Sequence, residues 1–175
     1  GLDIIDISTP ASPTLVGNYN TSGEASGVTV NGNYAYVADG TDGLDIIDIS
    51  NPASPTLVGN YNTAGLAHKV VISGDGTTTY AYVADGISGL TIVDVTDPAA
   101  PILKGTYNTT GTVLPAGTTY AVALSGNGTT NYAYLADGSY GLQVVDVTNP
   151  ASPTWAGSAN TSGNAFGLTL DDGFA

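Results

Sequence analysis

The chain has 175 residues, 42% of them hydrophobic, only 10% charged, and a formal net charge of -13. Two Lys, no Arg and fifteen acids make a poor surface for phosphate backbones or anionic lipid, which need cations to displace their counterions. The lack of Cys excludes a disulfide framework and thiolate metal sites, and no run of about 18 apolar residues is long enough to span a bilayer as a helix.

In chain order, every predicted element is a strand. "GLDIIDI" (1–7) and "PTLVGNYN" (13–20) come first. Then "ASGVTV" (25–30), "YAYVA" (34–38), "GLDIIDI" (43–49) and "PTLVGNYN" (55–62) form a set of four. The set returns as "KVVIS" (69–73), "YAYVA" (80–84), "GLTIVDV" (89–95) and "PILKGTYN" (101–108). It returns again as "YAVALS" (120–125), "YAYLA" (132–136), "GLQVVDV" (141–147) and "PTWAGSAN" (153–160), and "FGLTL" (166–170) opens a further copy. Val, Ile, Tyr and Thr dominate these runs, as strands prefer. "DG" and "SG" sit at hairpin distance between the second and third segments. "STPASP", "SNPASP", "TDPAAP" and "TNPASP" separate the third from the fourth, and paired prolines there stop strand pairing. No segment carries apolar residues at helical spacing.

Aligned on Gly1, Gly43, Gly89 and Gly141, the repeat units are 1–42, 43–88, 89–140 and 141–175, with spacings of 42, 46 and 52. The drift comes from longer turns, "GDGTTT" and "GNGTTN", and from the link "TGTVLPAGTT" at 110–119. A period in the forties with four short strands per unit predicts an all-β fold, a β-propeller of four-stranded antiparallel blades, over the single domain 1–175. Tyr34 and Tyr36 alternate with Ala35 and Val37, so both faces of this strand are apolar. Such a strand needs a neighbour on each side, which is why the unit repeats. The chain opens at a third strand and stops where a second should begin. Its four units are expected to belong to a larger ring, with a closed four-blade ring as the alternative.

The pattern "YAYVADGxxGLxIxDIxxPxxP", at Tyr34–Pro55, Tyr80–Pro101 and Tyr132–Pro153, resembles the LVIVD-repeat family of bacterial and archaeal β-propellers. The resemblance implies a propeller and a secreted or surface location. It implies no single activity.

Four groups of residues stand out as candidate sites. Ser26, His68, Tyr120 and Phe166 share one alignment column at the entrance of the first strand, a channel-rim position whose chemistry varies while its neighbours do not. That column is the candidate contact for a glycan or peptide, set against solvated or packing roles. Asp39, Asp85 and Asp137 recur in "ADG", with Asp42 and Asp45 near the first, and offer carboxylates for Ca²⁺; the turn chemistry of "DG" accounts for them equally well. Asp6, Asp48, Asp94 and Asp146 precede the Pro-rich loops and are expected to cap backbone N–H groups there. Asn20, Asn108, Asn127 and Asn160 fit the N-glycosylation pattern. Tyr140 is expected at the surface, and Trp155 reads either as an enlarged core residue or as a contact on an outer edge. One His without Cys or Arg supplies no nucleophile–base pair and no catalytic zinc set, so no enzyme is expected, with a hydrolase or lyase using an acid pair among the Asp residues as the alternative, and no cofactor, Ca²⁺ being the one candidate. These features point to a non-catalytic extracellular module, an adhesin, surface-layer or filament component. Its partners would be proteins or further copies, joined at free outer strand edges. A glycan- or peptide-binding propeller is the alternative.

Overall fold

The structure, a computed structural model, describes residues 1–74, 76–109, 117–126, 131–171 and 174–175. The extra residues of the link at 110–116, and most of those in "GNGTTN", lie outside them. Fourteen strands and no helix are found among the described residues, so no helix is long and apolar enough to cross a membrane.

The strands fall into one two-stranded sheet and three four-stranded antiparallel sheets in simple meander order. The two-stranded sheet is β1 (Leu2–Asp6) with β2 (Thr14–Tyr19). The first full blade is β3 (Gly27–Asn31), β4 (Tyr34–Ala38), β5 (Leu44–Asp48) and β6 (Thr56–Tyr61). The second is β7 (Lys69–Gly74), β8 (Thr79–Ala84), β9 (Leu90–Asp94) and β10 (Ile102–Tyr107). The third is β11 (Ala121–Gly126), β12 (Asn131–Ala136), β13 (Leu142–Asp146) and β14 (Thr154–Ala159). The units aligned on Gly43 and Gly89 open at a third strand, so each spans parts of two sheets.

First strands of neighbouring sheets pack together, β3 on β7 and β7 on β11, and the Thr29 hydroxyl donates to the Val70 carbonyl at 2.6 Å. The sheets are thus blades of a β-propeller, stacked face to face. Alternation sorts each strand's side chains between two cores. Tyr36, Leu44 and Ile46 face Val70, Ala81, Val83 and Val93 of the second blade. Ala35, Val37 and Ile47 pack the other way, with Leu2 and Tyr19. Tyr82, Leu90 and Ile92 then meet Val122, Leu135 and Val145. Each fully buried aliphatic in these layers contributes about 1.5–3 kcal/mol relative to exposure. Burial between blades also pushes the Tyr82 phenol up to about 12.

Two recurrent features fasten the outer part of each blade. The carboxylate before each Pro-rich loop accepts the backbone N–H two residues on, Ser8, Ser50, Thr96 and Thr148 at 2.7–3.1 Å, as the sequence suggests. Each loop then lies against the outer strand of the preceding blade. A Cβ on Gly17, Gly59 or Gly105 would come within 3.0 Å of the carbonyl oxygen of Pro52, Pro98 or Pro150, so only glycine lets the loop approach.

Three expectations need correction. "FGLTL" at 166–170 forms no strand; the one pairing that follows it is the bridge Asp171↔Phe174 among the described residues. The two ends do not combine into one blade either. β1 and β2 pack on the first blade's face, while Leu170 and Phe174 lie over Leu124, Tyr134 and Leu142 of the third, around a cleft of about 490 Å³. Trp155 is no enlarged core residue: it is 59% exposed, in register with the exposed Leu57 and Leu103.

Candidate functional site: the linker face

The linkers that lead from each outer strand into the next blade run along one face of the propeller. They lie against the turns that join second to third strands. The two consecutive residues Asp-Gly of each such turn hold a blade to both its neighbours. Asp39 Oδ1 accepts the Thr21 hydroxyl at 2.7 Å and Oδ2 accepts the Gly23 N–H at 2.6 Å, both from the linker entering its own blade. Asp85 does the same with Thr63 at 2.6 Å and Gly65 at 3.1 Å, and also takes the Thr91 hydroxyl at 3.0 Å. Asp137 Oδ1 receives Thr109 at 3.1 Å and Thr119 at 2.8 Å, while its Oδ2 is buried with no hydrogen-bond partner among the described residues. All three Asp side chains are 0% exposed. Burial raises the pKa of Asp137 above the ordinary carboxylate range, against the lowering effect of the two threonine donors.

The glycine that follows reaches forward. Gly40 and Ala67 exchange both backbone hydrogen bonds, as do Gly86 with Thr119 and Gly138 with Ala165. These glycines stand at φ of 57°, 56° and 51°, a left-handed backbone that other residues adopt at a cost. "ADG" is thus more than the turn read from sequence. Its Asp is a buried latch to the incoming linker and its Gly a bridge to the next blade.

Thr21, Thr63, Thr109, Gly23 and Gly65 were not singled out from the sequence, although "NTxG" recurs beside every linker. The latch also explains the glycosylation pattern. Thr is the middle residue of Asn20-Thr-Ser, Asn108-Thr-Thr and Asn160-Thr-Ser, and Asn62-Thr63-Ala64 keeps it where no acceptor pattern exists. Asn20, Asn108 and Asn160 are exposed, and Asn127 lies outside the described residues.

Of the five carboxylates proposed for Ca²⁺, the structure gathers three. Oxygens of Asp39, Asp42 and Asp45 lie within 4.8 Å of one another, whereas Asp85 and Asp137 sit apart in other blades. Where blade one has Asp42 and Asp45, blade two has Ser88 and Thr91, and blade three has Tyr140 and Gln143. Asp45 therefore sets a second buried carboxylate where Thr91 supplies a donor. Burial raises its pKa, Asn60 donates to it at 2.8 Å and lowers it, and Asp39 and Asp42 raise it further. Ca²⁺ takes six to eight oxygens, so these three residues could supply part of a shell.

The alignment column at the first-strand entrance is a physical row. His68 and Tyr120 have ring centroids 5.0 Å apart, and Tyr120 and Phe166 4.9 Å. Ser26 precedes them at the same position of the first blade, its N–H on Ala38 O as that of His68 is on Ala84 O. The rings lie tilted against one another, at 40° and 58°, and Phe166 at the end of the row is 62% exposed. The Nε2 of His68 is buried with no hydrogen-bond partner among the described residues. Burial lowers the imidazole pKa, and Asp85 and Glu24 oppose that shift. Tyr140, expected at the surface, is half-buried near Gly117.

A family model described as LVIVD repeat matches the chain four times, at residues 1–21, 22–63, 64–109 and 116–161. The matches cover most of the sequence, and the chain belongs to the LVIVD-repeat family of β-propeller modules. Each of the later three ends just after an outer strand, so the family's repeat coincides with a structural blade. No curated protein matches the chain.

Proposed function

We propose that the chain is a non-catalytic module of an extracellular or cell-surface protein, acting in structure or protein contact as part of an adhesin, surface layer or filament. The observation that carries this reading is where the carboxylates go. The recurring acids are engaged either in the buried latches of Asp39, Asp85 and Asp137 or in the loop turns of Asp6, Asp48, Asp94 and Asp146. The latch acids hold blades together and the loop acids fix their own turns; among the described residues neither set is assembled with a nucleophile or a base. A surface of Thr, Ser, Asn and Gly with few charges supports the location.

The outer strands support protein contact. They contain no Asp or Glu and a single Lys, Lys104, which sits 5.8 Å from the Tyr80 ring. Leu15, Leu57, Leu103 and Trp155 stand exposed at equivalent positions along them, with Val16 and Ile102 exposed beside the first and third. A bulge in each of these pairings shortens the edge open to strand addition, so side chains as well as backbone would make the contact.

Cross-linking in intact cells tests the reading. Two Lys against fifteen acids call for a carboxylate-reactive reagent. Cross-links to surface proteins or to further copies are expected; a chain found only inside the cell, linked to nothing, overturns it. The second reading, ligand binding at the rim, is favoured by the contiguous row His68, Tyr120 and Phe166.

A further inference from the structure

The latches and bridges of the linker face are nearly the same in every blade, but the side chains between them are not. The position after the latch glycine is Glu24 in the first blade and Leu66 in the second. The position after the bridging glycine is Thr41 in one and Ile87 in the other. Nothing in the latch requires these differences, because the backbone alone makes the bridge. The result is a face with an acidic part and an apolar part side by side.

The placement is firm. A Cβ on Gly40 would lie 3.5 Å from the Glu24 Cβ, which sets Glu24 against the turn that carries Asp42. A Cβ on Gly86 would lie 3.4 Å from the Leu66 Cβ, which sets Leu66 beside Ile87. Leu66 is 47% and Ile87 62% exposed, both in the middle of the array with a blade on each side. The Gly40–Ala67 bridge sets the turn that carries Asp42 against the linker that carries Leu66, so the acidic and apolar parts adjoin.

We propose that this face binds an extended peptide segment in which basic residues flank an aliphatic or aromatic anchor, the anchor seated on Leu66 and Ile87 and the cations beside Glu24 and Asp42. The proposal rests on the interaction-module reading above and names its partner class. Charge complementarity selects the occupant. The chain carries -13 with two Lys and no Arg, so a cationic segment is drawn to it and an acidic one repelled. Leu66 and Ile87 offer no hydrogen bonds, which favours an apolar side chain over a sugar ring with its hydroxyls.

The test is fluorescence anisotropy with a labelled peptide, Lys-Lys-Ser-Leu-Ser-Phe-Ser-Lys-Lys, and its counterpart with Glu for every Lys. The Lys peptide is expected to bind at least about tenfold tighter than the Glu peptide. Leu66→Ser with Ile87→Ser should weaken it about tenfold, Glu24→Gln should reduce the salt dependence, and Leu103→Ser on the outer strand should change nothing. Equal binding of the two peptides, or none by either, overturns the proposal. Loss of binding in Leu103→Ser but not in the Leu66/Ile87 variant also overturns it, while leaving the interaction-module reading in place. Thermal melts check that the variants are folded.

Discussion

Removing the carboxylate of Asp85 is the sharpest perturbation of the latch. Three donors converge on it, the Thr63 hydroxyl at 2.6 Å, the Thr91 hydroxyl at 3.0 Å and the Gly65 N–H at 3.1 Å, and the residue is fully buried. A hydrogen bond to a charged acceptor is worth about 1.5–3 kcal/mol net, and each buried donor left unpaired costs about 1–3 kcal/mol. Asp85→Ala also relieves the cost of burying a charge, which offsets part of the loss. Threonine hydroxyls can turn to other acceptors; the Gly65 N–H cannot. The net expectation is a destabilisation of about 3 kcal/mol, or roughly 6–12 °C in Tm for a chain of this size. Urea titration followed by tyrosine fluorescence measures it. Thr63→Val alone should cost about 1.5–2 kcal/mol, and in the double variant with Asp85→Ala the two effects should fall short of additivity by about 1 kcal/mol or more. Asp48→Ala, which removes an exposed turn acceptor, should shift the midpoint far less. If Asp85→Ala lies within about 0.5 kcal/mol of the parent, or if the pair is strictly additive, the latch does not hold the blades and the argument fails.

Four further outcomes follow from the same geometry. Gly59→Ala and Gly105→Ala each drive a Cβ into a proline carbonyl of the next blade and should cost about 2 kcal/mol, whereas Gly157→Ala, with nothing within 4 Å, should be neutral in the same urea titration. Asp45→Thr copies Thr91 and removes a buried carboxylate whose pKa is raised. A raised acid contributes less stability as pH climbs from its unfolded value near 3.8 through the folded one, so the variant's gain in Tm should be absent at low pH and appear as pH rises to neutrality. Asp6, Asp48 and Asp146 have lowered pKa values, so their contribution is present above 3.8 and fades as pH falls through the lowered values. Calcium titrated calorimetrically into chelator-treated protein should give no heat at millimolar concentration, because both oxygens of Asp39 are already held by Thr21 and Gly23; a saturable heat abolished in Asp45→Thr would assign the acidic trio to the cation.

The blades were legible in the sequence because their signals are local. Alternation in "YAYVA", two prolines per loop and a Gly-rich turn each act within a few residues, and the register of Tyr36 against Ile46 follows from them. The column Ser26, His68, Tyr120 and Phe166 was legible for the same reason, since equivalent positions in stacked repeats must lie side by side. The latch was not. Thr63 and Asp85 are 22 residues apart and belong to different recurring phrases, "NTxG" and "ADG". Nothing local says that one phrase closes on the other, so a turn reading sufficed for Asp85. Trp155 misled because it stands where the other blades have Leu57 and Leu103, which read as core; exposure there depends on how far the next blade reaches, which only the packed array fixes. "FGLTL" has the composition of a strand but pairs with no strand among the described residues, and composition alone does not make a ladder.

Electron microscopy of native, untagged material taken from the cell surface tests the central claim most directly. Propeller-sized units arrayed in filaments or lattices, or attached to a larger surface protein, are the expected result. Dispersed single particles that form no array and contact no partner would contradict it.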